Sequence, residues 1–223
     1  PIDQLLAWAF RDGLPRESLV LEVSSMGTEA WHLGCRVDGG TYYEPRLIDE
    51  AHPDAKVIQT AVVGLQKTYA QLNWGESGEF ILGPLADRLT QTEILNHGGR
   101  RDDSGWLVDG PTLNVGMLVF THAMNRTYPR WNFGEQLIPV QVRKGTPPRW
   151  RLVADNGFGK LEEISPVEIA RARNEYHVWW EALLRLPDTL PVLTQFHAME
   201  PIAPYAPWRD SLRLNGYDER IQA

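Results

Sequence analysis

The sequence predicts an α+β protein, mostly helical, with a small antiparallel β element, a hairpin near residues 136–154. Three observations predict it. Apolar residues recur at helical spacing in five segments, two strand-like runs flank one short loop, and proline or glycine stands at most segment boundaries. At 223 residues, 43% hydrophobic and 23% charged, the chain has the composition of a domain able to bury a sizeable core. No linker rich in Gly, Ser and charge divides it, so the expectation is a single compact domain over 1–223, with a basic, hairpin-containing lobe at about 111–154.

Ile2, Leu5, Leu6, Ala9 and Phe10 mark a short first helix, which Gly13 and Pro15 end. Leu19, Leu21 and Val23 alternate with polar neighbours as a strand does, and Gly39, Gly40 and Pro45 punctuate an irregular loop after it. Pro53 suits a first helical turn; Val57, Ile58, Ala61, Val62, Leu65, Tyr69 and Leu72 then hold one face for five turns. Trp74, Gly75 and Gly78 break that pattern. Another helix is predicted from Pro84 through Leu85, Leu89 and Ile94, stopped by Gly98 and Gly99, before an exposed turn from Arg100 to Gly105.

Pro111 opens a further apolar helix carrying Leu113, Val115, Leu118, Val119 and Phe120, with Asp109 near its positive end. Leu137 to Arg143 and Trp150 to Ala154 read as strands around Lys144, Gly145, Thr146, Pro147 and Pro148, a loop of hairpin length. Ser165, Pro166 and Glu168 spell a capping box, and Ala170, Ala172, Tyr176, Trp179, Trp180, Leu183 and Leu184 continue from it as a helix that Pro187 ends. A short helix from Asp188 to about Met199 is expected to fold back. Pro201, Pro204 and Pro207, interleaved with Tyr205 and Trp208, favour an extended polyproline-like run.

Several chemistries lack their motifs. Cys35 is the one cysteine, so no internal disulfide and no CxxC metal knuckle exists, which suits the cytoplasm. The opening residues lack the basic and apolar regions of a signal peptide, and no uncharged stretch approaches a membrane span. The six histidines show no HxH, HExxH or HxxxH spacing, so no metal is expected; His97 with Asp102 and Asp103 reads as a solvated turn salt-bridged by Arg100 and Arg101. There is no GxSxG elbow, Walker A loop or GxGxxG, and Gly157 and Gly159 read as a turn. The reading leans away from an enzyme: catalytic residues none, cofactors none. His52, Pro53 and Asp54 match the tripeptide of J-domain cochaperones, but the preceding Asp49 and Glu50 are acidic where a J-domain is basic, which favours a helix cap.

The sharpest functional signal is charge asymmetry. From Pro111 to Val153 the only acid is Glu135, against Arg126, Arg130, Arg143, Lys144, Arg149 and Arg151, a balance of +5 inside a chain whose net charge is −7. Tyr128, Trp131 and Trp150 interleave with these cations, as where guanidinium groups meet phosphates and aromatic faces stack bases. The expected nucleic-acid-binding residues are therefore Arg126, Arg130, Trp131, Arg143, Lys144, Arg149, Trp150 and Arg151. The plainer reading pairs these arginines with the protein's own acids or lays them over its indoles. The runner-up function is a protein-interaction module, an inhibitor or adaptor of a host or phage protein, using Trp179, Trp180, Trp208, the Pro-rich tail or an acidic surface.

The stretch ARNEYHVWWEALL from Ala172 to Leu184, followed by His197, Pro201, Pro204, Pro207 and Trp208, the opening PIDQLLAWAFRDGLP, and HPDA at His52 to Ala55 together resemble a group of uncharacterised proteins encoded in bacterial prophages. The resemblance covers the two ends and one internal helix, and the stretch from Leu19 to Leu47 departs from it. It implies a phage-encoded accessory protein, acting in the cytoplasm on nucleic acid or on a host or phage protein. It carries over no site residues.

Overall fold

Helix caps and close backbone approaches set the frame of the computed structural model, which describes residues 1–14, 50–140, 149–155 and 160–209. The strand and loop expected within 19–48, the hairpin tip with Arg143 and Lys144, and the turn at Gly157 and Gly159 lie outside the described residues. The fold is α+β, mostly helical with small antiparallel sheets. The chain divides into two compact units, each assembled from three stretches. Unit 1 takes Pro1–Thr68, Gly116–Thr127 and Leu183–Ile202; unit 2 takes Tyr69–Val115, Tyr128–Ala182 and Ala203–Ala223.

In unit 1, α1 (Ile2–Trp8) runs on as a π-helical turn, Ala9–Gly13, and buries Ile2, Leu5, Leu6, Ala9 and Phe10. Phe10 meets Phe120 edge-on at 4.9 Å between ring centroids. Helix α2 (Pro53–Leu65) begins as the cap reading predicts: the His52 Nδ1 accepts from the Asp54 amide at 3.2 Å, and Pro53 needs no donor in the first turn. A side chain at Gly13 would place its Cβ 2.6 Å from that of Ala55, so glycine permits the close approach of the two helices.

The five turns predicted after Pro53 shorten to Leu65. Two i+3 bonds, Gln66 N to Val63 O and Thr68 N to Leu65 O, tighten the end. Tyr69, expected on the apolar face, lies beyond the helix and is 63% exposed. Apolar spacing persisted in the sequence after the helix had stopped, because Tyr69–Ala70 is extended and its period differs.

Unit 2 builds its core from Leu72, Trp74, Ile81, Leu82, Leu85 and Ile94 packed with Leu152, Val167, Ile169 and Ala170. Strand β1 (Tyr69–Ala70) pairs antiparallel with β4 (Leu113–Asn114). The segment read as broken by Trp74 and Gly75 is instead helix α3 (Trp74–Leu82), capped by the Asn73 Oδ1 at the Gly75 amide, 3.0 Å. Burial of Trp74, Ile81 and Leu82 outweighs the cost of glycine in the helix, about 1 kcal/mol each. The helix expected from Pro84 to Ile94 divides into a 3₁₀ turn, Gly83–Arg88, and α4 (Gln91–Asn96), because Thr90 caps the Glu93 amide and restarts the chain.

Arg100 to Gly105 is no simple turn: β2 (Arg100–Arg101) pairs with β3 (Leu107–Val108) in a short hairpin. The next helix, α5, covers Val115–Asn125 and starts four residues after Pro111. Asp109 therefore does not serve its positive end. It is buried and held by Arg171 in a two-pronged pair, Nε to Oδ2 at 2.8 Å and Nη2 to Oδ1 at 2.6 Å.

The predicted hairpin is present. Strand β5 (Gln136–Val140) pairs with β6 (Arg149–Asp155), and β6 pairs with β7 (Leu161–Glu163), giving an antiparallel sheet of order β5-β6-β7. The capping box starts α6 (Pro166–Thr189): the Ser165 Oγ accepts from Val167, one residue earlier than expected, and Glu168 reaches back to the Ser165 amide at 3.1 Å. Pro187 does not end α6 but occupies its last turn. Beyond Thr189 there is no helix through Met199; there the Thr194 amide and hydroxyl and the Gln195 amide all donate to the buried Asp54 carboxylate, each at 2.8 Å.

The tail bends instead of extending. Tyr176 Oη donates to Pro204 O at 2.8 Å and Trp180 Nε1 to Ala203 O at 2.7 Å, and Ala206 takes a positive φ of 45°. Trp208 is wholly buried, edge-on to Tyr176, with its Nε1 donating to Phe80 O.

Candidate nucleic-acid interface

The hairpin strands place the predicted cations as follows. The register sets Val140 against Arg149, Pro139 against Trp150 and Ile138 against Arg151. Leu152, Val153 and Ala154 of β6 are buried and anchor the strand. Arg151 is half-exposed and lies 3.4 Å from the Glu163 carboxylate of β7, a solvated pair of small energetic value. The sheet is thus basic on β6 and acidic on β7, where Glu162 and Glu163 are exposed.

Before the sheet, the Arg130 guanidinium lies 4.3 Å over the Phe133 ring, with Nε donating to Asn132 O. Trp131 is half-buried and turns an edge toward Tyr176, while Tyr128 is 60% exposed. Arg130, Trp131, Arg149, Trp150 and Arg151 all belong to unit 2. Arg126 does not: it closes α5 in unit 1 with φ 51° and pairs with Asp12 at 3.5 Å. His122 adds no charge at neutral pH, since burial pushes its pKa down to about 4.

Glu135, the single acid of the basic segment, is buried. Its Oε1 accepts from the wholly buried Arg173 Nη2, and its Oε2 accepts from the Phe133 amide at 3.2 Å. Arg173 Nη1 donates in turn to Ile81 O at 3.1 Å, at the end of α3. The segment's only negative charge is therefore neutralised inside the protein by a cation from outside the segment.

Spacing rules could not reveal a second feature of unit 2, because its residues come from four separate elements. A groove of about 450 Å³ opens where the start of α3, the 3₁₀ turn, α4 and the β2–β3 hairpin meet. Trp106 forms one wall and is 52% exposed, although large indoles usually bury. Its ring lies against Gly75, where a Cβ would come within 2.9 Å of it. Asp102 fixes its backbone, with Oδ1 accepting from the Trp106 amide at 2.8 Å and the Asp102 amide donating to Trp106 O. Asp102 thus folds the hairpin turn, and the salt bridging expected for Asp102 with Arg100 and Arg101 is replaced by these bonds. Arg101 instead donates to Gly105 O at 2.9 Å and to Gln91 Oε1 at 3.1 Å across the groove.

Of the indoles named for the runner-up interface, Trp179 is 4% exposed and Trp208 is buried outright, while Trp180 is half-buried and donates its Nε1 to Ala203 O. Among the described residues no group of three or more His, Cys, Asp or Glu side chains could hold a metal, and no helix is long and apolar enough to cross a membrane. No family model, curated protein or solved structure matches the chain, so the geometry of unit 2 is the ground for any functional reading.

Proposed function

We propose that the chain binds nucleic acid through the part of its basic, aromatic segment that lies in unit 2, without catalysing a reaction, as an accessory protein of the kind the prophage resemblance implies. One observation carries the reading: the only acid of the Pro111–Val153 segment is withdrawn into a buried pair with Arg173. The field of the segment is then set by its cations, in a protein whose remainder is acidic. A guanidinium braced on Phe133 and a strand that opens on Arg149, Trp150 and Arg151 supply the phosphate and stacking contacts such binding uses. Arg143 and Lys144 join them on the strength of the sequence.

The test is binding to duplex and single-stranded DNA across a salt series. Several phosphate contacts give an affinity that falls steeply as salt rises, with a logarithmic slope of about 0.7 to 0.9 per contact. Replacing Arg143, Lys144 and Arg149 together by Ala is expected to flatten that slope and to weaken binding alike for all sequences, with the melting temperature unchanged. A flat salt response of the unaltered protein overturns the reading.

A further inference from the structure

The Trp106 groove shares no lining residue with the β5–β6 hairpin. An exposed indole of this kind is commonly a loose surface side chain, but three features oppose that here. Gly75 removes the Cβ that would displace the ring, the turn bonds of Asp102 fix its backbone, and Arg101 is braced to the opposite wall through Gln91. One face of the indole is backed by protein while half its surface stays open. A ring held in this manner is a preformed stacking platform.

The polar groups of the groove are mainly donors. Gln91 gives its carbonyl oxygen to Arg101, so the group it has left to offer a ligand is its donor amide nitrogen. Arg101 can only donate. Trp74, also in the wall, is 7% exposed, and its buried Nε1 meets no acceptor among the described residues. The ligand that complements such a wall is flat, aromatic and rich in acceptors. Exposed Asp102 and Asp103 beside Arg100 and Arg101 leave the local charge near balance, which favours a neutral ring over a phosphate.

We propose that this groove receives one unstacked nucleobase, lying on Trp106 with its carbonyl edge toward Arg101 and Gln91, and that a small tilt of Trp74 lets its Nε1 reach a further acceptor of the ring. A volume of about 450 Å³ holds a single nucleoside with room for water. The inference deepens the nucleic-acid reading above and gives it a subsite that selects single-stranded over duplex substrate, since a paired base cannot enter.

The probe is free uridine, titrated calorimetrically into the full chain, with indole as an aromatic control that lacks carbonyl acceptors. Saturable uridine binding is expected at roughly millimolar concentration, as suits a single small ring. Trp106→Ala is expected to weaken it about tenfold or more, the worth of one stacked base, and Gly75→Ala to weaken it by displacing the indole. Both variants are checked for an unchanged melting temperature; should Gly75→Ala unfold the protein, Trp106→Phe, which keeps a smaller ring, must give an intermediate affinity. Indole binding as tight as uridine, or a Trp106→Ala variant as tight as the parent, overturns the proposal. The two readings fail separately. Salt-dependent oligonucleotide binding with no uridine binding removes the groove alone, and uridine binding with a flat oligonucleotide response removes the hairpin alone.

Discussion

Asp54 shows how one side chain can hold a segment that has no regular structure. Both carboxylate oxygens are engaged, two bonds coming from Thr194 and one from Gln195, and the group is buried. Burial alone would raise its pKa, but the bonds from Thr194 and Gln195, with His52 nearby, outweigh it and hold the carboxyl below its ordinary value of 3.8. A lowered pKa means that the folded state prefers the ionised form. The stability it contributes is complete above the ordinary value and is lost as pH falls through the lowered one. Asp54→Asn keeps the shape but turns an amide toward a backbone donor. It is expected to cost about 1–3 kcal/mol at pH 7, read from the urea midpoint. That difference is expected to shrink below the ordinary carboxyl pKa; a cost that does not change with pH would show that the shape, and not the charge, of Asp54 matters.

At the scale of elements, the Arg173–Glu135 pair joins α6 to the end of α3 and to the residues leading into β5. Both side chains are out of water, so their mutual attraction offsets a large desolvation penalty only while both are present. Arg173→Met alone is expected to destabilise by about 3–5 kcal/mol, because Glu135 stays buried without a counter-charge. Adding Glu135→Leu is expected to return most of that loss in chemical denaturation, and a double variant as unstable as the single one would show that the pair contributes through more than charge. The same scale explains what the sequence could disclose. Caps are local, so the starts at Pro53 and Pro166 were legible from His52 and from Ser165 with Glu168, and the hairpin was legible because its loop chemistry and its alternation coincide. Helix α3 was not, since burial of Trp74, Ile81 and Leu82 decides it against its glycines. Nor was the interior role of Trp208, which depends on Tyr176 and Phe80, distant in the chain. The groove was illegible for the same reason: Trp106 and Gly75 are 31 positions apart, and no periodicity links them.

At the scale of the whole molecule, the charge asymmetry read from the sequence is spread over two units, and that division makes a discriminating test. Arg126 counts toward the basic segment by position, but it belongs to unit 1 and faces Asp12. The hairpin cations belong to unit 2. Only cations that touch phosphate change the salt slope, and Arg126 is already paired with Asp12. Arg126→Ala is therefore expected to leave the slope of DNA binding unchanged, whereas each hairpin cation removed is expected to lower it by about 0.7 to 0.9. The comparison is made at one protein concentration with single-stranded and duplex DNA in parallel. If Arg126→Ala lowers the slope as much as Arg149→Ala does, the contact surface includes unit 1, and the assignment of binding to unit 2 fails even though the protein binds DNA.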